Sequence, residues 1–217
     1  MKESAGEVFS IAEDNPPVSG CTISKSVHSG INDIIYFSLA KNTDISAEIF
    51  PYHKLLIVAD GSMEVYGKDG VMQRLHTGEC MITPTDIPVG MRTAESTVYT
   101  EITIRRNDTM NEAIKAGEVF KLAELVPYVD GKIVNMDVVH NDKMKFVVMA
   151  FDEGTGLSEH AAPGEAMIFA LDGEGVIGYE GKDHPIKVGE NFHFAKAGLH
   201  SVKATKKFKM ALLLTLE

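Results

Sequence analysis

The sequence has little of several things, and each shortage removes a class of function. Only two cysteines occur in 217 residues, Cys21 and Cys80. That is too few for a disulfide framework, and neither has a second thiol at metal-ligand spacing. Both are expected to be isolated buried thiols, since a free cysteine behaves as a small hydrophobe. Basic residues are short as well: the formal charge is -10. A protein that grips nucleic acid or anionic membrane needs basic patches, so neither partner is expected. The run Lys203–Lys207 holds three lysines but reads as a solvated loop. No apolar stretch is long enough to span a bilayer. The first twenty residues have no apolar segment of signal-peptide length, so the expected location is cytoplasmic. There is no CxxC, no phosphate-cradling glycine loop and no Ser/His/Asp arrangement in a recognisable context.

What is present is a repeat. Val8-Phe9-Ser10-Ile11-Ala12-Glu13 returns as Val119-Phe120-Lys121-Leu122-Ala123-Glu124, an offset of 111. Val27-His28 returns as Val139-His140, Ile45-Ser46 as Leu157-Ser158, and Asp60-Gly61 as Asp172-Gly173, each at 112. Gly78-Glu79 returns as Gly189-Glu190, again at 111. A register held over a hundred residues indicates duplication of a domain-sized unit. Short apolar runs, Ile34–Ala40, Lys54–Ala59, Lys145–Phe151 and Ala166–Leu171, predict strands. Asp-Gly pairs at 60–61, 69–70 and 172–173 predict hairpins between such runs. Many short strands with close turns indicate a sandwich or barrel. The polar segment 107–118 predicts a short helix, with Thr109 or Asn111 as its cap. The expected organisation is a first unit over 1–106, that linker, and a second unit over 119–217.

The second unit carries two motif-like stretches. One starts at Gly154, passes His160-Ala161-Ala162-Pro163-Gly164-Glu165-Ala166 and ends at Gly173. The other runs from Gly189 through His193 and Ala195-Lys196-Ala197 to His200. They resemble the two motifs of the cupin superfamily. The resemblance implies an all-β protein of two tandem jelly-roll barrels, a bicupin. It also implies a divalent transition metal held by two histidines, a glutamate and a third histidine, and it makes a homodimer a common assembly. Carried over, His160 and His200 fill the outer histidine positions, Ala162 replaces the second histidine, and Ala166 falls on the glutamate position. Glu165 is one residue early and is the candidate third ligand. His193 is a candidate substitute, because strand side chains alternate faces.

In the first unit the same positions are Glu48, Phe50, His53, Lys54 and Val89, a ring not expected to hold metal. That barrel is expected to be structural, although Glu48 and Lys54, if both inward, could pair or meet a ligand. Two functions for the second barrel stay open. One is small-molecule binding, with His160, His193 and His200 as polar anchors for an anion and Met167 in the lining. The other is a metal-dependent oxygenase, isomerase or lyase acting on a small polar substrate. A third reading is a structural or regulatory protein with a filled second cavity.

Overall fold

The structure is a computed structural model that describes residues 1–216. The described residues form three β-sheets, with one short α-helix, Ile11–Asp14, and one 3-10 turn, Leu122–Glu124. The first unit holds two sheets. The larger has the strand order Val119–Phe120, Cys80–Ile82, His53–Asp60, Thr97–Ile104, Ile34–Leu39, Thr22–His28. The smaller joins Asp44–Ile49, Pro88–Arg92, Ser62–Gly67 and Gly70–His76. In the second unit the long strand Glu165–Tyr179 takes part in both layers, so both count as a single ten-stranded sheet.

Strand alternation sorts the apolar side chains into three clusters. Leu39, Leu56, Val58, Met63, Met91 and Tyr99 fill the first barrel. Phe151, Ile168, Phe192, Phe194, Phe208 and Met210 fill the second. The opposite faces of the two large sheets meet between the barrels, where Tyr36, Ile57 and Ile102 pack with Phe146, Met167 and Leu213. A strand buried on both faces in this way reads as a continuous apolar run, which is why the predicted strands lack alternation. The result is an all-β jelly-roll architecture.

The segment 107–118 is not helical. Thr109–Met110 pairs with Val139–His140, and the remainder is turns. The Asn111 side chain, proposed as a helix cap, donates to the Asp137 carbonyl and accepts from Ala113 N–H, holding a turn against the second barrel. The segment is too short and too polar to offer an apolar helical face, so pairing to an existing strand is favoured.

The two repeated Val-Phe segments are exchanged between the units. Val8–Phe9 adds to Asn191–Phe194 of the second barrel, and Val119–Phe120 adds to Cys80–Ile82 of the first. Ile11 and Leu122 follow these strands and are both buried in the core between the barrels. Ser10 accepts from Glu13 N–H and caps the short helix.

Two of the three Asp-Gly pairs do not make hairpins. Only Lys68–Asp69 forms a tight turn, between Gly67 and Gly70, which face each other. Asp60-Gly61 and Asp172-Gly173 are bends at which a strand leaves one layer for the other. Gly61 and Gly173 have φ of +85° and +70°. A Cβ there would run into the Ser96 and Lys207 carbonyl oxygens respectively. Cys80 is buried as expected, with burial pushing its thiol up to about 12, whereas Cys21 is exposed.

Candidate functional site

His160 lies on the strand Gly156–Ala161 and His200 on Leu199–Lys203. These strands pair antiparallel with His160 directly opposite His200. The ring centroids are 4.2 Å apart, tilted by 51°. The other face of His200 stacks on Phe194, at 4.1 Å and 29°. His160 is exposed and His200 buried, so the pair runs from the barrel rim inward. His160 Nδ1 lies 2.8 Å from the Ser158 carbonyl oxygen, and His200 Nδ1 lies 3.1 Å from that of Gly198. A carbonyl only accepts, so each neutral ring carries its proton on Nδ1 and keeps a lone pair on Nε2. Burial holds the His200 imidazole below the usual histidine range. The Gly198 carbonyl opposes that shift, and the neighbouring His160 adds to it.

The other sequence candidates stand on the opposite side of the sheet. The ladder between Glu165–Ala170 and both neighbouring strands is regular, so Pro163-Gly164 introduces no bulge that would turn Glu165 inward. Ala166 and Ile168 therefore face the barrel interior, while Glu165 and Met167 face away from it. The same parity turns Phe192 and Phe194 inward and His193 outward. Met167 sits between the barrels, where its sulfur accepts from the Tyr36 hydroxyl at 3.2 Å. His193 Nδ1 donates to the Glu3 carbonyl at 2.7 Å, and Gly6 N–H donates to the His193 carbonyl at 3.0 Å. His193 Nε2 is 3.7 Å from Glu165 Oε1, and Glu165 also contacts the Met1 amino group. Burial depresses the His193 titration most, partly opposed by the Glu3 carbonyl. So His160 and His200 are brought together, and Glu165, His193 and Met167 are not brought to them.

This donor set does not fit the metal that the cupin resemblance implies. Two imidazoles are in place. Ala162 and Ala166, the remaining positions, are both buried among the phenylalanines of the barrel interior. Among the described residues no group of three or more His, Cys, Asp or Glu side chains is placed to hold a metal ion. A catalytic metal centre ordinarily takes at least three protein ligands.

The first barrel holds a polar cluster of a different kind. Its counterpart of His160, Glu48, is exposed. His53 is tied to the Thr83 carbonyl at 2.6 Å, and Val89 replaces His200. Lys54 does turn inward, but its partner is Glu101 at 3.0 Å rather than Glu48. Lys54 Nζ also lies over the Phe50 ring, 3.9 Å from its centroid. Burial pushes the Glu101 carboxyl up, and Lys54 opposes that shift. Glu101 had a sequence signal that was passed over. It is the one ionisable carboxylate in TVYTEITI, a strand otherwise made of apolar, hydroxyl and tyrosyl residues and buried along its whole length.

Comparisons with known proteins agree with this architecture. The cupin-domain family matches residues 147–216. A cupin 2 conserved barrel domain protein from Leptotrichia buccalis superposes with a TM-score of 0.86 at 25% identity, covering 99% of this chain and 98% of that one. Salicylate 1,2-dioxygenase from Pseudoaminobacter salicylatoxidans, in adducts with gentisate, gives 0.61 at 11% identity, covering 85% and 68%. The protein Ylba from E. coli gives 0.61 at 12% identity, covering 96% and 89%. The last two likenesses speak to the fold alone. No curated protein matches the sequence. No helix among the described residues is long and apolar enough to cross a membrane. The chain therefore has the fold of the cupin superfamily, and its residues 147–216 match the cupin-domain family.

Proposed function

We propose that this protein binds a small anionic molecule at the mouth of the second barrel, through His160 and His200 and without a metal. The observation that carries this reading is the cross-strand histidine pair, one ring exposed and the other buried between it and Phe194. Two adjacent imidazoles that become cationic on binding supply N–H donors and charge to a carboxylate-like ligand. The apolar wall formed by Phe194 supplies the rest of a small-molecule site. The two sequence units, 1–106 and 119–217, serve as two domains, and each lends one short strand to the other. A metal-dependent oxygenase, isomerase or lyase would need a third ligand beside the pair, and Ala162 and Ala166 offer none.

The test is metal content by plasma mass spectrometry, combined with calorimetric titration of acetate, malonate and benzoate. Wild-type protein purified without chelator is expected to hold well under one metal per chain. One of the carboxylates should bind, and His160→Ala/His200→Ala should abolish that binding. Burial holds the free His200 imidazole below the usual histidine range, so binding an anion as the imidazolium draws a proton onto it. Affinity should therefore rise as pH falls, by up to about tenfold per unit for that proton, until the depressed value of the free ring is reached. Stoichiometric metal lost in the double variant would overturn the proposal, as would carboxylate binding that ignores pH.

A further inference from the structure

We infer that the cleft between the two barrels is a binding site for a small uncharged molecule of about one hydrocarbon ring. The inference does not rest on the histidine pair, and the site lies outside both barrel interiors.

Three pairs of repeat positions line the cleft: Ile11 with Leu122, Ile57 with Phe169, and Ala59 with Leu171. Ile11 and Leu122 follow the exchanged strands, and Ile57 and Phe169 stand on the two large sheets. All four are buried in the core between the barrels. Ala59 and Leu171, two residues further along each strand, are half-buried. The mouth opens between two like turns, Thr77-Gly78 and Val188-Gly189, all four residues exposed. In one turn Glu79 N–H donates to the His76 carbonyl at 2.8 Å, and in the other Glu190 N–H donates to that of Lys187 at 3.0 Å. The space enclosed is about 140 Å³.

The repeat shows where this space comes from. Ala59 stands where the second unit has Leu171, so the wall on the first unit's side is three carbons short. Elsewhere the two sheets close on each other, with Ile57 7% and Phe169 5% exposed. Protein interiors hold few voids larger than a water molecule, and the atoms lining one lose contacts they would otherwise make. An apolar cavity of about 150 Å³ is large enough for a benzene-sized guest.

The polar groups at the cleft limit what that guest is. Asn191 Oδ1 accepts from Ile11 N–H and Asn191 Nδ2 donates to the Ile168 carbonyl, both at 3.2 Å. The Thr77 hydroxyl donates to the Gly61 carbonyl, and the Glu190 carboxylate accepts from Lys187 N–H. Thr100 brings the one further side-chain oxygen of the lining, and it is buried. Water needs about two to four polar partners to stay in such a place, so it is a poor occupant. Glu190 is the one charged side chain of the lining, and it turns anions away. An uncharged apolar molecule fits what is left. It would touch both units at once, so its binding should tie the barrels together.

The test uses the full chain with carbon-13 labelled isoleucine methyls, titrated with benzene and, separately, with benzoate. Benzene should shift the Ile11 and Ile57 methyl signals in a saturable way and leave Ile49, which is 64% exposed, where it is. At about five times its dissociation constant it should raise the melting temperature by about 2–4 °C. Benzoate should leave Ile11 and Ile57 unmoved. Ala59→Leu fills the cleft and should weaken benzene at least tenfold. Leu171→Ala widens it from the other side and should bind naphthalene at least tenfold more tightly than the wild type does. His160→Ala/His200→Ala should abolish carboxylate binding at the second barrel yet keep the benzene shifts, so the two sites fail separately. The inference is overturned if benzene leaves Ile11 and Ile57 unmoved, if benzoate moves them equally, or if Ala59→Leu binds benzene as the wild type does.

Discussion

The two barrels share a sequence repeat, and their interiors differ in charge chemistry. The second keeps a pair of titratable rings at its mouth, stacked on an aromatic floor. The first has an aliphatic residue, Val89, at the equivalent position, and its larger sheet carries an ammonium–carboxylate pair, Lys54 and Glu101. Histidines near a rim can be neutral when empty, so they tolerate an apolar surround at little cost. A lysine and a glutamate in the same surround tolerate it only together. The comparison separates a pair that is adjustable from a pair that is mutually dependent.

The sharpest way to break that contrast is to remove one partner from each pair. Glu101→Leu strands the Lys54 ammonium in the first barrel and should destabilise the protein by about 3 kcal/mol. Lys54→Met strands the carboxylate and should cost a similar amount. The double replacement should recover most of the loss. In the second barrel, His160→Ala exposes no unpaired charge and should cost under about 1 kcal/mol. Urea denaturation of the four variants reads all of this. If the single first-barrel variants are as mild as His160→Ala, then Lys54 and Glu101 are not a dependent pair.

The next contrast is between the two strand bends. Gly61 and Gly173 both take positive φ and both face a carbonyl oxygen. Alanine at either should cost about 1–3 kcal/mol through backbone strain and the clash. The second barrel carries its strand unbroken through the bend, from Glu165 to Tyr179, whereas in the first the strand stops at Asp60 and a new one begins at Ser62. Gly173→Ala should therefore lower the melting temperature more than Gly61→Ala. Equal losses would show that strand continuity carries no weight at this position.

These positions also show what the sequence could reveal. The repeat and the apolar runs specify two β-barrels, because both are local or periodic signals. Asp-Gly marks a chain reversal or a bend equally well, since only the need for positive φ is encoded, and two of the three pairs prove to be bends. The exchanged strands Val8–Phe9 and Val119–Phe120 are two residues long and carry no pairing preference of their own. His160 and His200 were legible because motif spacing and strand register agree on them. The inward partner of Lys54 was not, because Glu101 is 47 positions away and only the register of two neighbouring strands brings the two together. Glu165 looked like a ligand by type and near-spacing, yet one residue of parity places it behind the sheet.

The pH response should divide along the same line. His193 and His200 are both held below the ordinary histidine value, mainly by burial. Their neutral forms are favoured in the fold, so as pH falls through about 6.5 the unfolded chain takes up protons that the folded chain refuses. Stability then drops on acidification, by at most about 1.4 kcal/mol per pH unit for each group, until the folded value is reached. Glu101 works in the opposite sense. Its folded carboxyl is raised by burial, so on acidification the folded chain takes its proton before the unfolded chain does, and stability is gained. The measured slope between pH 7 and 5 sets the loss from these two histidines against the gain from Glu101. Lys54→Met/Glu101→Leu removes the opposing carboxylate and should steepen the acid loss. His193→Asn keeps a donor for the Glu3 carbonyl but cannot titrate, so it should flatten the loss. Should both variants leave the slope of the wild type unchanged, the acid response would have to arise from surface groups rather than from these buried ones.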